Sequence, residues 1–285
     1  MKNYIYRIKN LTQSLFYISL SLILISCEDV IEIELNGVDP AIVIEASISD
    51  DGSVSSAIIT KSTDFFEPGD YEQVSNAIVT ISDNAGNSYQ MIEVDDGEYV
   101  TDLITGQSGS TYSIEVNAEG QIYNAESSMP VKILLDSLSL ELAHSRPNEK
   151  EGAERYYLHV YFKDPPGIDN YCRFRIIVEN ELLTGFIVYE DKFTDGNDID
   201  VRIILDNKEL NLNIGDLIEV ELLSIDKAGF DFYKTANSVN ASGGSNGRPS
   251  STGAAPSNPV TNWNNKALGF FSAYTVSNDS IIFEK

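Results

Sequence analysis

AIVTISDNAGNSYQMIEVDDGEYV, residues 77–100, decides the fold. Apolar and polar residues alternate through Ala77-Ile78-Val79-Thr80-Ile81-Ser82 and again over residues 88–94. A period of two belongs to a strand with one buried face. Asp83-Asn84-Ala85-Gly86-Asn87 and Asp95-Asp96-Gly97 supply the turns between such strands. Outward from this stretch the alternation returns in TYSIEVN (111–117) before Glu119-Gly120, and in AIVIEASI (41–48) before Asp50-Asp51-Gly52. Ile31-Glu32-Ile33-Glu34-Leu35 has the same period, and helical periodicity is nearly absent. Met129-Pro130 closes the unit, because proline cannot continue a central strand. About seven short strands over roughly 95 residues predict an antiparallel sandwich.

The order AxVTIxDxxG, DDGEYV and GxxGSTYSIEVxxxGxxY resembles immunoglobulin-like and transthyretin-like modules, in which Gly-x-Tyr elements turn the chain and plug the core with a ring. A second run of strand-like segments begins at ILLDSLSLEL (133–142) and continues at 156–162, 171–179, 185–189, 200–205 and 217–224. One helix is predicted over 227–239, with Asp226 as N-cap and Phe230 and Tyr233 on one face. Residues 240–262 form a long polar loop rich in Ser, Gly, Asn and Pro, and closing strands are expected at 267–273 and 280–283. The expected fold is therefore all-β: two antiparallel β-sandwich (immunoglobulin/transthyretin-like) domains over 27–130 and 131–285, the second with one short helix and a long polar loop.

Residues 1–26 read as an export signal. Lys2, Arg7 and Lys9 open it, no acid precedes Glu28, and the apolar run LFYISLSLILI (15–25) is shorter than the roughly 20 residues that span a bilayer. It ends in Leu24-Ile25-Ser26-Cys27, which resembles the bacterial lipobox, where the cysteine thiol takes the lipid and becomes the new N-terminus. Glu28 and Asp29, directly behind Cys27, resemble the acidic signal that sorts Bacteroidota lipoproteins to the outer face of the outer membrane; an acidic tether without a sorting role is the plainer reading.

The chain carries 19 Lys and Arg against 44 Asp and Glu, a net charge of −25. Removal of the leader, which holds three cations and no acid, takes this to −28. So acidic a surface repels nucleic acid, and no basic stripe offsets it. A hydrophobic fraction of 42%, with 15 Tyr and 12 Phe, suffices for a packed core.

CEDVIEIEL, AIVIEASISD, FFEP, AIVTISDNAGN, DPPGIDNYCRFRI, IGDLIEVELLSIDKAGFDFY and PVTNWNNKALGFFSAY, in that order, resemble the Bacteroidota outer-membrane lipoproteins grouped as domain of unknown function 4249. The resemblance covers essentially the whole chain after the leader. It implies a surface lipoprotein that partners a TonB-dependent outer-membrane receptor, anchored in the outer membrane and facing the exterior. It brings no catalytic residues and no cofactor.

No GxSxG, HExxH, P-loop or dinucleotide fingerprint stands where its chemistry needs it. The leading reading is a non-enzymatic accessory lipoprotein that captures ligand for the receptor or gates it. A structural or adhesive surface module comes second. A surface glycan hydrolase, which needs only two well-placed carboxylates, comes last. Asp164-Pro165-Pro166-Gly167 with Asp169-Asn170, and the segment 195–200, gather oxygens of the kind calcium prefers. Such turns also serve backbone geometry in every β protein, and no metal site is assigned. His159 is expected half-exposed on a strand, His144 has no ligand set nearby, and Cys172 reads as a small buried residue. Ser137 and Ser280, in Asp-Ser-aliphatic triplets, match the Bacteroidota O-glycosylation pattern. The candidate partner contacts are Phe65 and Phe66, and Trp263 at the edge of the polar loop, whereas Phe270, Phe271 and Tyr274 read as core.

Overall fold

The structure, a computed structural model, describes residues 40–63, 71–143, 154–192, 195–243 and 258–284. Cys27, Glu28, Asp29, the alternating segment 31–35, Phe65, Phe66 and His144 lie outside the described residues. Residues 39–285 form one compact unit.

Its first half runs β1 (Ile42–Ser49), β2 (Ser55–Lys61), β3 (Ile78–Asp83), β4 (Ser88–Gln90), β5 (Ile92–Asp95), β6 (Glu98–Thr101), β7 (Thr111–Ala118) and β8 (Gln121–Ser128). Then come β9 (Leu135–Leu142), β10 (Arg155–Lys163), β11 (Tyr171–Val178), β12 (Glu181–Leu182), β13 (Ile187–Glu190), β14 (Asp198–Asp206) and the one-turn helix α1 (Asn207–Leu210). β15 (Leu217–Ile225), helix α2 (Lys227–Gly243) and β16 (Leu268–Ile282) complete the chain.

The turns form where their chemistry places them. Gly52, Gly86, Gly97 and Gly120 all adopt positive φ, which a side chain disfavours. Between them the strands alternate buried and exposed residues, as in β7, where Tyr112, Ile114, Val116 and Ala118 point inward. Tyr99 is 1% exposed; its hydroxyl donates to the Val74 carbonyl at 3.0 Å and accepts from the Ala77 N–H at 2.9 Å. The ring therefore fills the core while its hydroxyl satisfies two backbone groups of the segment before β3.

Two sandwiches result. In the first, β16-β1-β2-β6-β5 faces the four-stranded sheet β4-β3-β7-β8 across a core that includes Ile44, Ile59, Ile81, Tyr112 and Val116. In the second, β12-β11-β15-β16 faces β14-β10-β9 across Leu158, Phe162, Phe174, Val220 and Leu222. One strand belongs to both. β16 pairs parallel with β1 through residues 268–274, then antiparallel with β15 through residues 275–282. At about 3.3 Å per residue its 15 residues span roughly 50 Å.

Two expectations are corrected here. The closing strands expected at 267–273 and 280–283 are the single strand β16, because the ladder to β15 continues through Asn278 and Asp279 while their side chains point to solvent. Residues 131–285 do not keep to a sandwich of their own: Trp263, Ala267, Phe271 and Ala273 pack in the first core. Ser127 joins the same two parts of the chain, since its hydroxyl donates to Asp226 Oδ2 at 2.7 Å and accepts from the Ala273 N–H at 3.0 Å.

Candidate functional site

Helix α2 organises the outer face of the long sheet. Asp226 caps it as the sequence predicts, its Oδ1 accepting the Gly229 N–H at 2.7 Å. Phe230 is buried over Leu223 and Ile225, and its ring stands 5.2 Å from that of Tyr171. Phe232 stacks on Phe270 at 5.0 Å and 22°. Beside the helix a cavity of about 650 Å³ opens against Asp231, Lys234, Thr235, Val260 and Phe270.

Trp263, expected as an exposed partner contact, is 5% exposed and belongs to the core. Its indole N–H donates to the Ile44 carbonyl at 3.0 Å, 219 residues away in sequence. The flanking asparagines that made the segment read as surface are staples instead. Asn262 accepts the Phe271 N–H at 3.0 Å and donates to the Phe271 and Glu126 carbonyls, and Asn264 accepts the Asn124 N–H at 2.8 Å. Of the expected loop 240–262, residues 240–243 extend α2 and residues 244–257 lie outside the described residues. Ser137 and Ser280 are both exposed, each on a strand, β9 and β16.

His159, expected half-exposed, is 7% exposed. The ring of Tyr161 lies 5.9 Å away and nearly parallel, that of Tyr157 6.4 Å away and edge-on, and together they cover it. Asp200 approaches Nδ1 at 2.9 Å and Glu141 approaches Nε2 at 3.3 Å, so the imidazole links the three strands β14, β10 and β9. Cys172 is fully buried, and burial pushes its thiol far above the ordinary range, which removes it from thiolate chemistry.

The two Asp-rich segments singled out in the sequence meet. Asp164, Asp191 and Asp195 bring carboxylate oxygens within 4.8 Å of one another. Asp164 is fully buried: Oδ1 accepts from the Asn170 amide at 3.1 Å and Oδ2 from the Gly196 N–H at 3.0 Å. Asp195 accepts the Gly167 N–H at 2.6 Å. Asp191, just past β13, carries no signal in the sequence that would have found it. All-oxygen donors suit a hard cation or a shared proton. Burial, then the neighbouring Asp191 carboxylate, pushes the Asp164 carboxyl upward.

A folded state that holds a proton more tightly than the unfolded chain is favoured at low pH. That contribution is full below the ordinary carboxylate range near pH 4 and is lost as pH rises through the raised value. Asp191→Asn is expected to raise stability at pH 7 and to change it little at pH 4. Thermal midpoints of both proteins at the two pH values, with chelator present, check it; a difference independent of pH contradicts it.

No helix among the described residues is long and apolar enough to cross a membrane. The architecture is that of an all-β protein built from two β-sandwiches that share one strand. The chain belongs to the family described as Domain of unknown function (DUF4249), whose model matches residues 28–280. Among solved structures, it is similar to a two-domain fibronectin type-III segment from chicken tenascin, at 16% identity over 65% of this chain and 91% of that one, with a TM-score of 0.22. It is also similar to the Yersinia pseudotuberculosis adhesin InvE, at 15% identity over 64% of this chain and 55% of that one, with a TM-score of 0.18. A comparison with curated proteins gives no match.

Proposed function

We propose that the protein is a non-enzymatic lipoprotein, held at the exterior face of the outer membrane through Cys27, which serves a TonB-dependent receptor by capturing ligand or gating the barrel. The observation that carries this reading is the leader: three early cations, the apolar run 15–25 and Leu24-Ile25-Ser26-Cys27. One acyl chain holds a protein only marginally, so stable anchoring needs more than one at this cysteine. The family resemblance supports the receptor as partner. The absence of a catalytic motif in the sequence favours a binding role.

Cys27→Ala is expected to move the protein from the membrane fraction to the soluble fraction, or to leave its leader uncleaved. Unchanged fractionation with an unchanged mature N-terminus removes the anchor. Protease added to intact cells is expected to digest the wild type and to spare Glu28→Ala/Asp29→Ala; equal digestion leaves the two acids as a simple tether. Cross-linking in intact outer membranes, read by mass spectrometry, is expected to recover a TonB-dependent receptor. Recovery of adhesive surface proteins alone turns the reading to a structural module.

A further inference from the structure

β11 alternates. Cys172, Phe174 and Ile176 enter the second core, and Arg173 and Arg175 point to the opposite face, beside helix α2. Nearly every other lysine or arginine with a defined partner has a carboxylate. Lys61 reaches Glu72 at 2.8 Å and Glu119 at 2.6 Å, Lys132 reaches Asp50 at 2.8 Å, Lys227 reaches Asp231 at 2.6 Å, and Arg175 is paired with Glu221. Arg173 differs. Its guanidinium carbon stands 4.2 Å from the centroid of the Tyr233 ring and 5.0 Å from that of Phe186, and no ion pair among the described residues includes it. Its Nε is buried and lacks a hydrogen-bond partner.

In a chain of net charge −25, carboxylates are abundant, so an arginine left without one is held for something else. A buried donor without an acceptor costs about 1–3 kcal/mol, more when charged. Contact with the two rings and a hydrogen bond with the Tyr233 hydroxyl hold the guanidinium and leave its Nε–H unpartnered. Arg173 lines a cavity of about 210 Å³ between β11 and the connection from β12 to β13, with Arg175, Leu183, Thr184 and Phe186 among its other lining residues. The wall is fixed from the helix side: the Asn237 side chain accepts the Phe186 N–H at 3.2 Å and donates its amide N–H to the Phe186 carbonyl. Burial pushes the Tyr233 hydroxyl up while the Arg173 charge opposes it, so the ring beneath the guanidinium stays neutral.

We propose that Arg173, with Arg175 beside it, binds the oxyanion group of a small ligand, a carboxylate or a phosphate, in the cavity between β11 and the β12–β13 connection. A planar fork of N–H donors, set against the Tyr233 and Phe186 rings, matches an oxyanion with two parallel hydrogen bonds. The volume is below the 300–1,000 Å³ of pockets that enclose drug-sized ligands, so it accepts a charged end group or a free small anion. The acidic surface repels anions at long range, which makes the site selective for ligands that reach the uncompensated charge of Arg173. The proposal stands independently of the lipoprotein reading, since it concerns only the folded residues.

The test is the thermal midpoint of the full chain, purified in detergent, against increasing sodium phosphate, sodium glucuronate or sodium chloride at matched ionic strength. Phosphate or glucuronate is expected to raise the wild-type midpoint by about 5 °C at saturation, and chloride to leave it in place. The anion that acts identifies which oxyanion the cavity takes. Arg173→Gln is expected to lose the shift relative to its own starting midpoint, so a lower baseline stability does not imitate lost binding. Should Arg173→Gln not fold, Thr184→Glu serves instead: it sets a carboxylate on an exposed residue at the cavity rim, away from the core, and is expected to abolish the shift at an unchanged baseline. No shift in the wild type with either anion, or an equal shift in the variant, overturns the proposal.

Discussion

Gly269→Ala is expected to lower stability by about 4 kcal/mol, a fall in thermal midpoint on the order of 10 °C. Gly269 opens β16 at φ +87°, where a Cβ would stand 2.1 Å from the Ile44 carbonyl oxygen and 2.7 Å from its carbon. Ile44 is its register partner in the parallel ladder to β1, so neither backbone can move without loosening the seam between the first and last strands. The left-handed backbone adds about 1–2 kcal/mol of strain for any side chain. Gly52→Ala separates the two contributions. Gly52 shares the positive φ, +85°, but a Cβ there meets nothing within 4 Å, so only the strain is expected. Equal losses in the two variants would show that β16 does not approach β1 as closely as its register states.

Trp263→Ala is expected to cost about 3–5 kcal/mol, the range for emptying a buried aromatic site. The indole packs in the first core and donates to the same Ile44 carbonyl that Gly269 crowds, so the two substitutions act on one junction and should not be additive. Trp263→Phe keeps most of the ring and removes the donor, with an expected loss of about 1–3 kcal/mol. Trp263 is the only tryptophan, so intrinsic fluorescence reports its surroundings directly. Emission is expected at the short wavelengths of a shielded indole and to resist a polar quencher. Long-wavelength, readily quenched emission with little loss of stability in Trp263→Ala would restore it to the surface as a partner contact.

Some strands were easy to read and others were not, for a reason visible in their inward residues. β7 and β11 bury Tyr112, Ile114 and Val116, or Cys172, Phe174 and Ile176, against polar neighbours, and a period of two is plain. β2 buries Ser55, Ala57 and Ile59, and β8 buries Tyr123, Ala125 and Ser127; small and hydroxylated residues facing inward flatten the contrast on which periodicity depends. Ser127 is inside because Asp226 and the Ala273 N–H satisfy its hydroxyl, partners 99 and 146 residues away. The capped helix was legible because Asp226 and the Gly229 N–H are local. The carboxylate cluster was half legible: Asp164 and Asp195 lie in turns that announce themselves, whereas Asp191 joins them only through the path of β13.

By itself the sequence determined what depends on neighbours along the chain: the strand period, the glycine turns, the Tyr99 plug, the helix cap and the acidic charge. Tertiary structure alone decided which strand lies beside which. That β16 closes both sandwiches, that Trp263 is core, and that Arg173 lies against Tyr233 and Phe186 without a carboxylate all follow from residues brought together across long stretches of chain. A side chain's burial is set by the surface that arrives against it, and that surface is supplied by the fold rather than by the residues on either side.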